Sequence, residues 1–202
     1  MKLHKDLFSL EELEVINKII SHVNIPVQAN GEYVNFESNG GTGLCERLGR
    51  LQIGNISYDL PKDIVDKLTK IANTQSEVPL IMSAAMYVEY SGKYGSPNLP
   101  PHFDRDTNNL IINLQLSSNT HWDLGINVDT YRLEDNSALI FNGNTNIHWR
   151  VHKEFQEDEY VKMLFIRFHD PKNRPDYSHL PNDQDYEAFK GAIETRARIH
   201  SL

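Results

Sequence analysis

The sequence predicts a mainly β domain, a sandwich or barrel with flanking helices. Three observations predict it. Residues 79–90, 110–116, 131–133, 138–141 and 161–168 are apolar or alternating runs of strand length. Turn-rich stretches at 91–101, 117–120, 134–137 and 142–146 separate them. No helical pattern alternates with these runs, which argues against parallel βαβ units. The chain has 202 residues, 39% of them hydrophobic, enough to fill the core of one domain.

Taken in order, Ser9 followed by Glu12 forms a capping-box pattern. Leu13, Ile16, Ile19, Ile20 and Val23 recur behind it at helical spacing, predicting a helix over 10–22 that closes before Pro26. Residues 33–36 and 51–53 are expected as short strands, with a Gly40–Gly41 turn between them. Pro61 suits the first residue of a second helix, with Ile64, Leu68 and Ile71 on its apolar face to about Asn73. The domain reading is one unit over 1–202. A helical and short-strand part occupies 1–78 and a β core 79–170. A last helix occupies 183–199, capped by Asn182 or Asp183.

Composition excludes several classes. Acidic residues outnumber basic ones 28 to 20, a formal charge of −8, so a general nucleic-acid coat is not expected. Cys45 is the single cysteine, so neither an internal disulfide nor a cysteine-based zinc site is available. A bound metal must be held by His, Asp or Glu. No stretch reaches the roughly 20 apolar residues of a membrane span, and the first ten residues lack a signal-peptide pattern. A soluble, cytoplasmic protein is the expectation.

The chemistry-bearing candidates begin at His102-Phe103-Asp104. Residues i and i+2 of a strand share a face, so the imidazole and the carboxylate can reach one metal. A second copy, His121-Trp122-Asp123, follows a turn signal. His102 and Asp104 are preferred because they sit between two strands, on the more rigid scaffold. Two His and one carboxylate on one side of a metal leave positions for other ligands, as in non-haem iron oxygenases. A third ligand must come from a later strand. His148 and His152 both qualify; in an extended segment they share a face, so spacing alone does not choose between them.

The succession Tyr90-Ser-Gly-Lys-Tyr, Pro-Pro-His102-Phe-Asp104-Arg105, Asn113-Leu-Gln-Leu, Trp122-Asp-Leu, Ala138-Leu-Ile-Phe141 and Ile147-His148-Trp149-Arg150 resembles the Fe(II)- and 2-oxoglutarate-dependent dioxygenases. It is most similar to their prolyl-hydroxylase-like branch, over residues 80–170. The resemblance implies a double-stranded β-helix, the cupin-like jelly roll. It implies Fe(II) on His102, Asp104 and His148, the His-Trp-Arg pattern favouring His148 over His152. It implies 2-oxoglutarate as cosubstrate, O2 as oxidant, and succinate and CO2 as by-products. It also implies a cation for the far carboxylate of 2-oxoglutarate, with Arg167, Lys162 and Arg150 as candidates, and Tyr90 beside the cosubstrate. Asn113 and Gln115 share a strand face and are open between cosubstrate contacts and structural residues. Asp104 argues for hydroxylation over halogenation, because halogenating relatives lack that carboxylate. The substrate is open between a protein or peptide residue and a small molecule. Arg47, Arg50 and Arg105 are read as a basic rim or as solvated charges. The competing readings are a jelly-roll binding or structural protein, and a cupin-like metalloenzyme that uses no 2-oxoglutarate.

Overall fold

The structure is a computed structural model that describes residues 1–23, 25–39, 41–104 and 109–172. The predicted helix over 183–199 and Arg105 lie outside these residues. Among the described residues the order of elements is β1 (Lys2–His4), α1 (Leu10–His22), β2 (Gly43–Cys45), β3 (Arg50–Asn55), α2 (Lys62–Asn73), β4 (Ile81–Ser91), β5 (Leu110–Ser118), β6 (Leu124–Ile126), β7 (Asp129–Tyr131), β8 (Ser137–Phe141), β9 (His148–Arg150) and β10 (Tyr160–His169).

α1 starts where the capping box places it. The Ser9 hydroxyl accepts from Glu12 N–H at 3.2 Å, and the Glu12 carboxylate accepts from Ser9 N–H at 2.7 Å. This satisfies two donors that the first turn leaves without helical partners. α2 begins one residue later than expected, with Pro61 at the cap position. Both helices lay apolar stripes on the large sheet: Ile16 from α1, and Ile64, Leu68 and Ala72 from α2, are buried there.

The strands form a seven-stranded sheet in the order β1-β8-β5-β10-β4-β3-β2 and a three-stranded sheet in the order β7-β6-β9. Every pairing is antiparallel. Alternation assigns each strand of the large sheet two faces. Ala85, Tyr87, Ile112, Leu114, Leu164, Ile166 and Phe168 face the helices. Val88, Tyr90, Ile111, Leu139, Phe141, Val161 and Met163 face the small sheet and pack with its Trp122, Leu124, Ile126 and Leu133. The second set is the inside of the sandwich.

Two expectations differ from what is found. β1, β2 and β3 belong to the same sheet as β4, so the first 78 residues contribute edge strands to the core. Residues 33–36 form two isolated bridges, Val27 with Tyr33 and Asn35 with Leu44, and then a short 3-10 turn over Phe36–Ser38. The Asn35 carboxamide accepts from Glu37 N–H, and such local bonding competes with a strand ladder.

The relative weight of packing and capping is testable by urea denaturation. Leu68, fully buried on α2, should cost about 2–5 kcal/mol as Leu68→Ala. Ser9→Ala should cost about 1 kcal/mol through the lost cap.

Candidate metal centre

Residues 99–104 form no strand of their own but are tied to the small sheet by main-chain bonds. His102 and His148 exchange a reciprocal pair, N–H to O at 3.0 and 2.9 Å. Arg150 N–H donates to Leu99 O, and Asp104 N–H to Gly143 O, both at 2.9 Å. Gly143 must be glycine for the last contact. A Cβ there would stand 2.3 Å from Asp104 Oδ2 and 2.6 Å from Ile111 Cδ1.

This register gathers His102, Asp104 and His148, with one ligand atom of each within 4.8 Å of the others. His148 Nε2 lies 3.6 Å from Asp104 Oδ2, too far for a hydrogen bond. His102 Nδ1 is 2.8 Å from Pro100 O and His148 Nδ1 is 3.1 Å from Asn146 O. A carbonyl can only accept, so each Nδ1 carries the proton and each Nε2 keeps its lone pair. Asp104 Oδ2 is buried with no hydrogen-bond partner. Three acceptors converging without a donor repel one another unless a cation sits among them. The donor set and its orienting carbonyls fit a divalent metal.

Burial keeps the imidazoles neutral. It pushes His102 down to about 4, helped by the neighbouring His148. Burial also lowers His148, with Arg167 and Arg150 adding to the effect. The rings also touch, with centroids 4.1 Å apart, and Phe141 stands edge-on to His148 at 5.0 Å.

The remaining candidates separate by strand face. His152 and the second motif's His121 are exposed, and Asp123 of that motif is bonded to Arg132. Lys162 lies on the helix-facing side of β10, beside Glu89 at 3.9 Å, because its neighbours Val161 and Met163 face inward. It is not brought into the barrel. Arg167 lies five residues on, on the inward face, half-buried. Arg150 is buried inside: its guanidinium donates to Trp122 O and contacts Met163 Sδ at 3.4 Å. It lies 5.2 Å from the Trp122 ring, and its Nε has no partner. Burial lowers Arg150 to about 10, partly offset by the nearby Tyr90 and the Asp123 carboxylate. Tyr90 is fully buried, 4.9 Å from Trp122 ring to ring.

Arg50, read from the sequence as part of a basic rim or as a solvated charge, instead faces the space between the sheets. It pairs with Tyr90 across β3 and β4. Its Nη1 donates to Tyr90 Oη at 2.8 Å and its Nε to Gln52 Oε1 at 3.1 Å. Its charge also reaches His102. The sequence signal was the alternation of Arg50, Gln52 and Gly54, which marks a polar stripe on one strand face.

No family model and no curated protein matches this sequence. Solved structures do match in shape. One is the non-heme alpha ketoglutarate dependent epimerase SnoN from nogalamycin biosynthesis, at a TM-score of 0.61 and 12% identity, covering 89% of this chain and 84% of that one. A prolyl hydroxylase from Trichoplax adhaerens, solved with a hypoxia inducible factor peptide, matches at 0.51 and 14%, covering 88% and 87%. HygX from Streptomyces hygroscopicus, with nickel and 2-oxoglutarate bound, matches at 0.53 and 7%, covering 84% and 82%. The fold is a double-stranded β-helix. In this fold the triad and Arg150 both lie between the sheets, with Arg150 two residues along β9 from His148 and both buried. No helix among the described residues is long and apolar enough to cross a membrane.

Gly143→Ala should displace Asp104 and weaken Co(II) binding at least tenfold in an optical titration, with unchanged far-UV circular dichroism. A pH test follows from His102. Its folded value lies below the ordinary 6.5, so the unfolded chain takes the proton first. Stability of the metal-free protein should therefore rise with pH between about 4 and 6.5. Thermal melts across that window should show a flatter dependence in His102→Gln.

Proposed function

We propose that this chain is an Fe(II)- and 2-oxoglutarate-dependent dioxygenase that hydroxylates a C–H bond of its substrate. The observation that carries the reading is the convergence of two unprotonated Nε2 atoms and the partnerless Asp104 Oδ2. His102, Asp104 and His148 would hold the iron. When bound, iron and 2-oxoglutarate would supply oxidation by O2 coupled to loss of CO2 and formation of succinate.

The chain's own residues account for the rest. Pro100 O and Asn146 O hold the two imidazoles in the ligating tautomer. Arg150 is a buried cation with no acid partner among the described residues, and the far carboxylate of 2-oxoglutarate would supply one. A buried charge without such a partner is costly. Tyr90 accepts from Arg50, so its own O–H proton remains free to donate toward the same carboxylate. Arg50 thus acts as a positioning residue for Tyr90. Trp122, Phe141 and Met163 wall the space with apolar surface, which strengthens these charge contacts by excluding water. Beside Arg150 the inward face of β10 carries Met163, so at that level the cation offered is Arg150 of β9.

Anaerobic titration with Fe(II) and then 2-oxoglutarate tests this directly. The wild-type protein should develop the weak visible charge-transfer band of the chelate, and His102→Ala and Asp104→Ala should not. Arg150→Met should keep metal binding but raise the 2-oxoglutarate midpoint at least tenfold, about 1.4 kcal/mol or more. His152→Ala should behave as wild type. Metal loading without any band would exclude 2-oxoglutarate and favour a cupin-like metalloenzyme.

A further inference from the structure

Arg50, Arg150 and Arg167 all face the space between the sheets, yet none is in an ion pair among the described residues. Among the described residues the cations in ion pairs are lysines and Arg132. The three differ in what they have already bonded. Arg50 is committed to Tyr90 and Gln52. Arg150 is deep and suits the cosubstrate. Arg167 makes no side-chain hydrogen bond to any described residue, and the side chains beside it are apolar: Ala84 on β4 and Ile111 on β5.

Its place in the sheet is informative. The row that crosses β4, β10, β5 and β8 at this level reads Ala84, Arg167, Ile111, Phe141. Ile111 meets Gly143, the residue against which Asp104 packs, and Phe141 touches His148. Arg167 is therefore in the row next to the triad. In the next inward-facing row, Asn113 pairs with Phe165. Asn113 is 3% exposed, and its Oδ1 is buried without a partner. A half-buried guanidinium and a buried carboxamide, both unspent, face the same space. A structural role would give each a partner within the fold. The chain's net charge of −8 repels anions at long range, so this local cation is selective rather than part of a basic surface.

We propose that Arg167 is the specificity-determining residue for a primary substrate carrying a carboxylate or phosphate group, with the Asn113 carboxamide as the adjoining polar contact. The inference rests on the oxygenase reading and names the substrate class for that site. The anionic group docks on Arg167 and the C–H bond to be oxidised lies between it and the triad.

The test uses protein loaded anaerobically with Fe(II) and 2-oxoglutarate, so that the cosubstrate site is filled. Hexanoate, hexanamide and inorganic phosphate are titrated while the charge-transfer band is followed. Hexanoate or phosphate should perturb the band saturably, and whichever does so identifies the preferred anion; hexanamide should be at least tenfold weaker. Arg167→Gln should weaken the anion at least tenfold and Arg167→Lys should restore part of it, with the 2-oxoglutarate midpoint within about twofold of wild type in both. Equal response to hexanoate and hexanamide, an undiminished response in Arg167→Gln, or no saturable response to either anion overturns the proposal. So does a tenfold shift of the 2-oxoglutarate midpoint, which would make Arg167 the cosubstrate anchor. Calorimetry of phosphate and hexanoate binding to metal-free protein separates the two levels. Arg167-dependent heat without any chelate band would retain the anion site and remove the oxygenase reading.

Discussion

The arrangement of the site depends on one reciprocal pair of main-chain hydrogen bonds, His102 with His148. Residues 102–104 have no ladder of their own, so this pair and the Asp104–Gly143 bond set their register. A slip of one residue in this segment would turn its side chains to the opposite face, sending His102 and Asp104 away from His148, which the β6–β9 pairing holds. Side-chain chemistry here is thus fixed by backbone pairing. The carbonyls of Pro100 and Asn146 add the second constraint, since they decide which nitrogen of each ring is available.

The surroundings then set the charge state. Apolar walls from both sheets keep the imidazoles uncharged and leave Arg150 poorly compensated. Such an interior is costly while empty of ligand and favourable once an anion and a cation enter together. The protein's acidity lies elsewhere: the acidic partners of its lysines are on outer faces, as Glu89 is for Lys162 and Lys93. Separating outward acids from inward arginines gives the barrel a polarity opposite to that of the whole chain.

Much of the framework was legible because it follows local rules. The capping box and apolar stripe of α1 gave its limits to the residue, and the long apolar runs of β4, β5, β8 and β10 gave the core strands. β1 and β2 were not legible: three residues carry no usable period, and they are strands only because β8 and β3 pair with them. The same limit governs the site. Alternation separates Lys162 from Arg167 but does not say which face is inside; the packing of Val161 and Met163 says that. His148 and His152 share a face only while the strand continues, and β9 stops at Arg150, leaving His152 exposed. Arg50 owes its place to Tyr90, forty residues away in sequence.

One feature of the topology bears on how the molecule is made. β10 lies between β5 and β4, which do not pair with each other. The last strand among the described residues therefore fills a central slot and joins the two halves of the large sheet. A nascent chain emerging from the ribosome would already contain both histidines and the aspartate, but not the barrel that holds them in register. Such a late, non-local closure belongs with slow-folding, high-contact-order domains.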